Sequence, residues 1–134
     1  VWLARGAWRA PHDPSLLEDG GLLIFDNMGH AGYSRALEVD ALDVDRVRWS
    51  FGGDPPEDFF SVFCGAAARL PNGNTLVTES CNGRAIELTP DRRVVWSFLS
   101  PHRTGPEDGL VAALFEVERL PLESTAGWLG SGER

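Results

Sequence analysis

Three histidines, two cysteines and a few amide and guanidinium side chains are the groups in this 134-residue chain with chemistry to offer near neutral pH. An imidazole nitrogen can attack an electrophile at neutral pH without a strong base beside it. Amide and cationic donors offset charge that develops on oxygens. His12, Asn27 and Arg35 are the residues that a strand pairing could bring to one rim. For His12, the competing reading is a rim histidine satisfied by Asp13 or a backbone carbonyl. For Asn27 it is a turn former in Asp26-Asn27-Met28-Gly29. For Arg35 it is a blade-stabilising role shared with Arg84. His30 and His102 fall in loop sequence without a placed partner and read as solvated. Two cysteines without a histidine pair fall short of a zinc signature, so no metal site and no cofactor is expected.

The elements that must position these residues come from an internal repeat. Leu17 to Asn27 (LEDGGLLIFDN) lies over Leu70 to Ser80 (LPNGNTLVTES), Ser34 to Asp40 over Gly83 to Thr89, and Val47 to Phe51 over Val94 to Phe98. A third copy opens at Arg119-Leu120-Pro121, matching Arg69-Leu70-Pro71, and then loses the pattern. Within each copy, short alternating runs are divided by turn residues, and nothing of length reads as a helix. In the second copy the strands run near Cys64 to Leu70, Thr75 to Ser80, Arg84 to Thr89 and Val94 to Phe98. Four short antiparallel strands repeated at this period describe a propeller blade.

The expected fold is therefore an all-β β-propeller fragment of about two four-stranded antiparallel blades, plus partial strands of two neighbours. Blade one spans about 11–51 and blade two about 63–98, with part blades at 1–10 and 112–121 and an irregular tail at 122–134. Val1-Trp2-Leu3 reads as the last strand of a preceding blade, and Ala113 to Leu120 as the first of the next. The remaining blades are expected outside this chain, since a propeller closes with four or more. A free-standing sandwich of about nine strands is the alternative.

In a propeller the loops before the inner strand, and between the second and third, open on one end face, where function usually sits. Arg5 to His12, Met28 to Tyr33, Gly52 to Phe63 and Ser100 to Gly109 fall there. Centring the first hairpin between Asp19 and Gly20 sets His12 opposite Asn27, with Gly65 and Ser80 as their counterparts in the second copy. Centring the second between Asn72 and Gly73 sets Cys64 opposite Cys81. The two are then either a disulfide, which implies an oxidising compartment such as a periplasm, or two packed thiols. Trp49 and Trp96 hold equivalent positions and read as core, while Trp2, Trp8 and Trp128 leave aromatic stacking, as in a quinone-dependent dehydrogenase, a lesser alternative.

Composition narrows the partners. Twelve basic against twenty acidic side chains give a net charge of −8. Nucleic-acid binding needs a basic stripe, which the sequence lacks. A small anionic substrate responds to the local field of its pocket and is not excluded. No apolar run approaches the roughly 18 residues of a membrane span, and no signal peptide is visible. The chain opens on Val1 and has Met28 as its only methionine, so it reads as processed or truncated.

His12 to Asn27 (HDPSLLEDGGLLIFDN), SRALEVD, RLPNGNTLVTES followed by Asn82-Gly83-Arg84, and Val94 to Pro101 resemble the bacterial arylsulfotransferases. The resemblance covers roughly residues 1–121, and RLPNGNTL with FDN is its more specific combination. In that family a glutamine often precedes His-Asp and Arg-Leu-Pro, where this chain has Pro11 and Ala68. The resemblance implies a six-bladed propeller, commonly exported, that moves a sulfuryl group from an aryl sulfate to a phenol through a histidine and without a nucleotide donor. It implies His12 as the sulfuryl-contacting or nucleophilic histidine, Asn27 and Arg35 as substrate-binding oxyanion partners, and a periplasmic or secreted location. The fragment alone is expected to be inactive. A non-catalytic binding or scaffold propeller accounts for the repeat equally well.

Overall fold

A computed structural model of the chain describes residues 3–125 and 127. Among these residues, strands β1 (Pro11–Leu16), β2 (Gly21–His30), β3 (Tyr33–Asp40) and β4 (Val47–Gly52) form one antiparallel sheet in chain order. Strands β5 (Ala66–Arg69), β6 (Thr75–Glu79), β7 (Arg84–Leu88) and β8 (Val94–Leu99) form a second. β9 (Arg103–Thr104) and β10 (Leu110–Val111) make a short ribbon, and an α-helix, α1, covers Leu122–Thr125. The all-β class and the two consecutive four-stranded blades are thus as the repeat predicts. None of the described helices is long and apolar enough to cross a membrane.

The hairpins differ from expectation by one residue, and the cause is loop length. Leu17 N–H donates to the Gly21 carbonyl and Gly20 N–H to the Leu17 carbonyl. Leu70, Gly73 and Asn74 repeat this pattern. Each loop therefore holds three residues, a turn followed by a glycine at positive φ: +80° at Gly20 and +84° at Gly73. That is the second commonest hairpin connection, after the two-residue loop. The second ladder accordingly starts at Ala66↔Thr78, and Cys64 lies before it rather than opposite Cys81. In the first sheet His12 pairs with Phe25, not Asn27, because a bulge at Asp13-Pro14 adds a further residue. The structural counterpart of His12 is therefore Ala66, not Gly65.

The expected rim loop at Met28–Gly32 is instead a continuation of the ladder. β2 runs on to His30, and a two-residue turn with positive φ at Ala31 and Gly32 leads into β3 at Tyr33. The Ser100–Gly109 segment, expected as a loop, contributes β9 to the unforeseen ribbon.

The two blades pack face to face. Leu23, Phe25, Ala36 and Trp49 of the first sheet meet Ala67, Val77, Ile86 and Leu88 of the second, with Phe59 between them. Phe59 sits 5.6 Å from the Phe25 ring and 5.4 Å from the Phe51 ring, and burying it contributes about 2–3 kcal/mol. Close approach explains Gly65: a Cβ there would lie 2.5 Å from Phe25 Cδ1. The opposite face of the first sheet buries Leu22, Ile24, Leu37 and Val39, with Trp8 packed on it as Phe59 packs between the sheets.

Among the described residues, the expected part blades at 3–10 and 112–121 do not form strands. Residues 3–10 carry no strand, and Val1 and Trp2 lie outside the described residues, as do Trp128 and most of the tail. Residues 112–121 are irregular but docked: Leu114 N–H donates to the Ser80 carbonyl at 3.2 Å and Val117 N–H to Thr78 Oγ1 at 3.0 Å. They lie beside β6 as β5 lies beside β2. An inner strand pairs with the second strand of its own blade, and no such strand is present among the described residues, so no ladder forms.

Candidate functional site

The rim of the first blade is built by the end of β2 and the start of β1. Asn27 is fully buried there, and its amide nitrogen donates to the carbonyls of Ser61 and Cys64, at 2.6 Å each. Two carbonyl partners fix which side of the amide carries nitrogen, because a carbonyl only accepts. Asn27 Oδ1 then faces His12 Nδ1 at 2.7 Å, with the Ala10 carbonyl 3.1 Å from the same nitrogen. Both neighbours of Nδ1 accept, so the neutral imidazole carries its proton on Nδ1 and keeps a lone pair on Nε2. His12 and Asn27 therefore meet by side chain even though their backbone positions are not paired.

His12 lines a cleft of about 310 Å³ with Asp13, Cys64, Gly65, Ala66, Phe115 and Glu116. Asp13 Oδ2 accepts from Ala67 N–H at 3.0 Å, which ties the bulge of blade one to the inner strand of blade two. None of the lining residues is cationic.

Arg35 is not brought to this cleft. Its Nε donates to Asp26 Oδ2 at 2.9 Å, and Asp26 is wholly buried. Asp26 Oδ1 accepts from Arg9 N–H at 2.7 Å, and the Arg35 Nη2 reaches the Ala7 carbonyl at 3.5 Å. Blade two repeats the device. Glu79 accepts from Phe60 N–H at 2.7 Å and from Arg84 Nε, while Arg84 Nη2 donates to the Asp58 carbonyl at 2.8 Å. In each blade a buried carboxylate of the second strand thus holds both an arginine near the start of the third strand and the segment leading to the inner strand.

This clamp is a framework feature, and it moves Arg35 from substrate binding to structure. Asn27 moves too. Both its amide hydrogens are committed to carbonyls, so it orients His12 instead of donating to a substrate oxygen. Its counterpart Ser80 reaches the Phe115 carbonyl at 3.5 Å, as Asn27 reaches that of Cys64. Asp26 and Glu79 were legible as aligned acidic residues in the repeat, but burial alone tells a clamp from a solvated charge. Ser34 and Ser61 give no such signal. Ser34 Oγ accepts from Ser61 N–H at 2.9 Å and donates to the Asn27 carbonyl at the same distance, knitting the 61–64 turn to the rim.

His30 and His102 do not line the His12 cleft. Cys64 and Cys81 are free thiols, each half-buried. Cys81 Sγ lies 3.5 Å from the Phe63 carbonyl, and Cys81 N–H donates to Ser61 Oγ at 3.1 Å. A second cleft, of about 500 Å³, is lined by Asp58, Cys81, Asn82, Arg84 and Arg103 together with the β9–β10 ribbon.

No protein-family model matches the chain, and no curated protein or solved structure matches it significantly.

Proposed function

We propose that this chain carries the reactive histidine of a propeller sulfotransferase, in which His12 takes a sulfuryl group from an aryl sulfate and passes it to a phenol. The observation that carries this reading is the bond from His12 Nδ1–H to Asn27 Oδ1, with the Asn27 amide held by two carbonyls. Such an arrangement fixes the tautomer and leaves Nε2 as the nucleophile. In the first step an Nε2–S bond forms while the S–O bond to the aryl group breaks, and the electron pair leaves with the phenolate. The ring becomes cationic, and Asn27 Oδ1 offsets that charge through Nδ1–H, as the orienting carboxylate does in a serine hydrolase. In the second step the acceptor oxygen attacks sulfur, the N–S bond breaks, and the acceptor's proton passes to the departing phenolate or to solvent. Nothing is oxidised or reduced.

Asp13 and Glu116 make the cleft acidic, so on this reading the donors that offset the sulfuryl oxygens come from further blades. The resemblance also assigns the protein to the periplasm or the exterior. The acidic lining and the locked Arg35 favour one second reading, a propeller that binds or scaffolds without chemistry.

Turnover of 4-nitrophenyl sulfate by the natively expressed protein, with a phenol as acceptor, separates the two. We expect phenolate release that falls at least about a thousandfold in His12→Ala, with a sulfated His12 peptide trapped when acceptor is withheld. No release from the folded protein, or release unchanged in His12→Ala, would leave only the scaffold reading.

A further inference from the structure

The structure places Cys64 and Cys81 on two rim turns knitted into one, and we infer that these thiols form a redox-controlled cross-link that fastens the 61–64 turn beneath His12. The ladder does not set the two cysteines opposite each other; the turns do. Ser61 Oγ accepts from Cys81 N–H at 3.1 Å and donates to the Phe63 carbonyl at 2.8 Å. The Phe63 oxygen, part of the peptide unit that Cys64 completes, is 3.5 Å from Cys81 Sγ. Cys81 therefore packs its sulfur against the peptide unit that Cys64 completes, while its N–H is held by the Ser61 hydroxyl of the same turn. Both cysteines are partly exposed: Cys81 lines the 500 Å³ cleft and Cys64 the His12 cleft. A small disulfide oxidant thus has a way in.

The reaction is thiol–disulfide exchange with a low-molecular-weight disulfide as oxidant. The Cys81 thiolate attacks one sulfur of the oxidant and expels a thiolate, giving a mixed disulfide. The Cys64 thiolate then attacks Cys81 Sγ and expels the second thiolate. The two cysteine protons end on the two released thiols, so the oxidant is reduced and the cysteine pair oxidised by two electrons. The bond closes a loop that contains the whole hairpin of β5 and β6. It also fastens the carbonyl of Cys64 that Asn27 holds at 2.6 Å. The inference concerns the covalent state of the rim and stands whether or not His12 transfers a sulfuryl group.

The test is made on the wild-type chain, equilibrated with oxidised or reduced glutathione. Peptide mapping without reductant is expected to show a Cys64–Cys81 cross-link, the intact mass to fall by two hydrogens, and titratable thiol to vanish. The melting temperature should stand roughly 10 °C above that of the reduced chain. Dithiothreitol should abolish the difference, and Cys81→Ser should show none. Glutathione retained on both cysteines, cross-links only between chains, or a Cys64–Cys81 bond that forms only in urea would overturn the inference. So would a cross-link that leaves the melting temperature unchanged.

Discussion

Arg35 has its guanidinium on a carboxylate that pairs with no other cation among the described residues. Asp26 is wholly buried, and its remaining partner is the Arg9 N–H. Removing one member of such a pair strands a buried charge, which costs more than the pair itself contributes. Arg35→Met should therefore lower stability by about 3 kcal/mol in urea unfolding, and Asp26→Asn in the same chain should recover part of the loss. Arg84→Met should cost less, because Arg84 is 35% exposed and Glu79 keeps its bonds to Phe60 N–H and Asn82 Nδ2. Equal losses at the two positions would contradict the difference in burial. The sequence left Arg35 between substrate binding and a blade-stabilising role shared with Arg84, and His12 between a reactive and a satisfied rim histidine, and both choices turn on neighbours too far away in sequence to see. Asn27 shows why. Its partners Ser61 and Cys64 lie 34 and 37 residues on, in the connection to the next blade, so no local pattern could tell an oxyanion donor from a residue that holds two carbonyls.

Strands were legible and registers were not. Alternation and Asn-Gly or Asp-Gly placed β5 to β8 within a residue or two, but the same dipeptides serve two- and three-residue hairpin loops. One residue of loop length decides which side chains are opposed. The hairpin between β5 and β6 does more than set register. Asn74 and Asn72 of its loop donate to Glu87 on β7, at 2.7 and 3.3 Å, and Arg119 pairs with the same carboxylate. The Asn74 bond, then that from Asn72 and the Arg119 charge, hold the Glu87 carboxyl below its usual range against the opposing effect of burial. A carboxyl lowered by folding stabilises the native state above its unfolded value of about 4.5, and the contribution fades as pH falls from there through the folded value. Asn74→Ala should cost about 1 kcal/mol at pH 7 and less at pH 3, below the unfolded value, where the contribution of the lowered carboxyl is already fading. Thermal melts at the two pH values measure it, and a penalty that grows on acidification would contradict the assignment.

The repeat also says what each face of each sheet is for. Trp49 and Trp96 occupy the same place, opposite Glu38 and Glu87 on the third strand of their blades. Trp49 is 8% exposed: blade two covers it, the Pro90 carbonyl accepts its Nε1–H at 3.0 Å, and Arg69 lies over its ring. Trp96 is 40% exposed and only stacks on Phe98, whose centroid is 6.5 Å away. Arg69 bonds Glu38 at 2.6 Å while it covers Trp49. Arg119 makes the equivalent bond to Glu87, so the 112–121 segment has begun the same cover without supplying a blade. A tryptophan packed between sheets carries transfer and cavity costs together, whereas one on an open face carries little of either. Trp49→Ala should cost about 3–5 kcal/mol and Trp96→Ala about 1 kcal/mol in denaturant unfolding of this chain. On the propeller reading the gap closes when further blades are present, because Trp96 then gains the cover that Trp49 already has. A Trp96→Ala cost that stays near 1 kcal/mol in the natively expressed protein would show that no blade packs on that face.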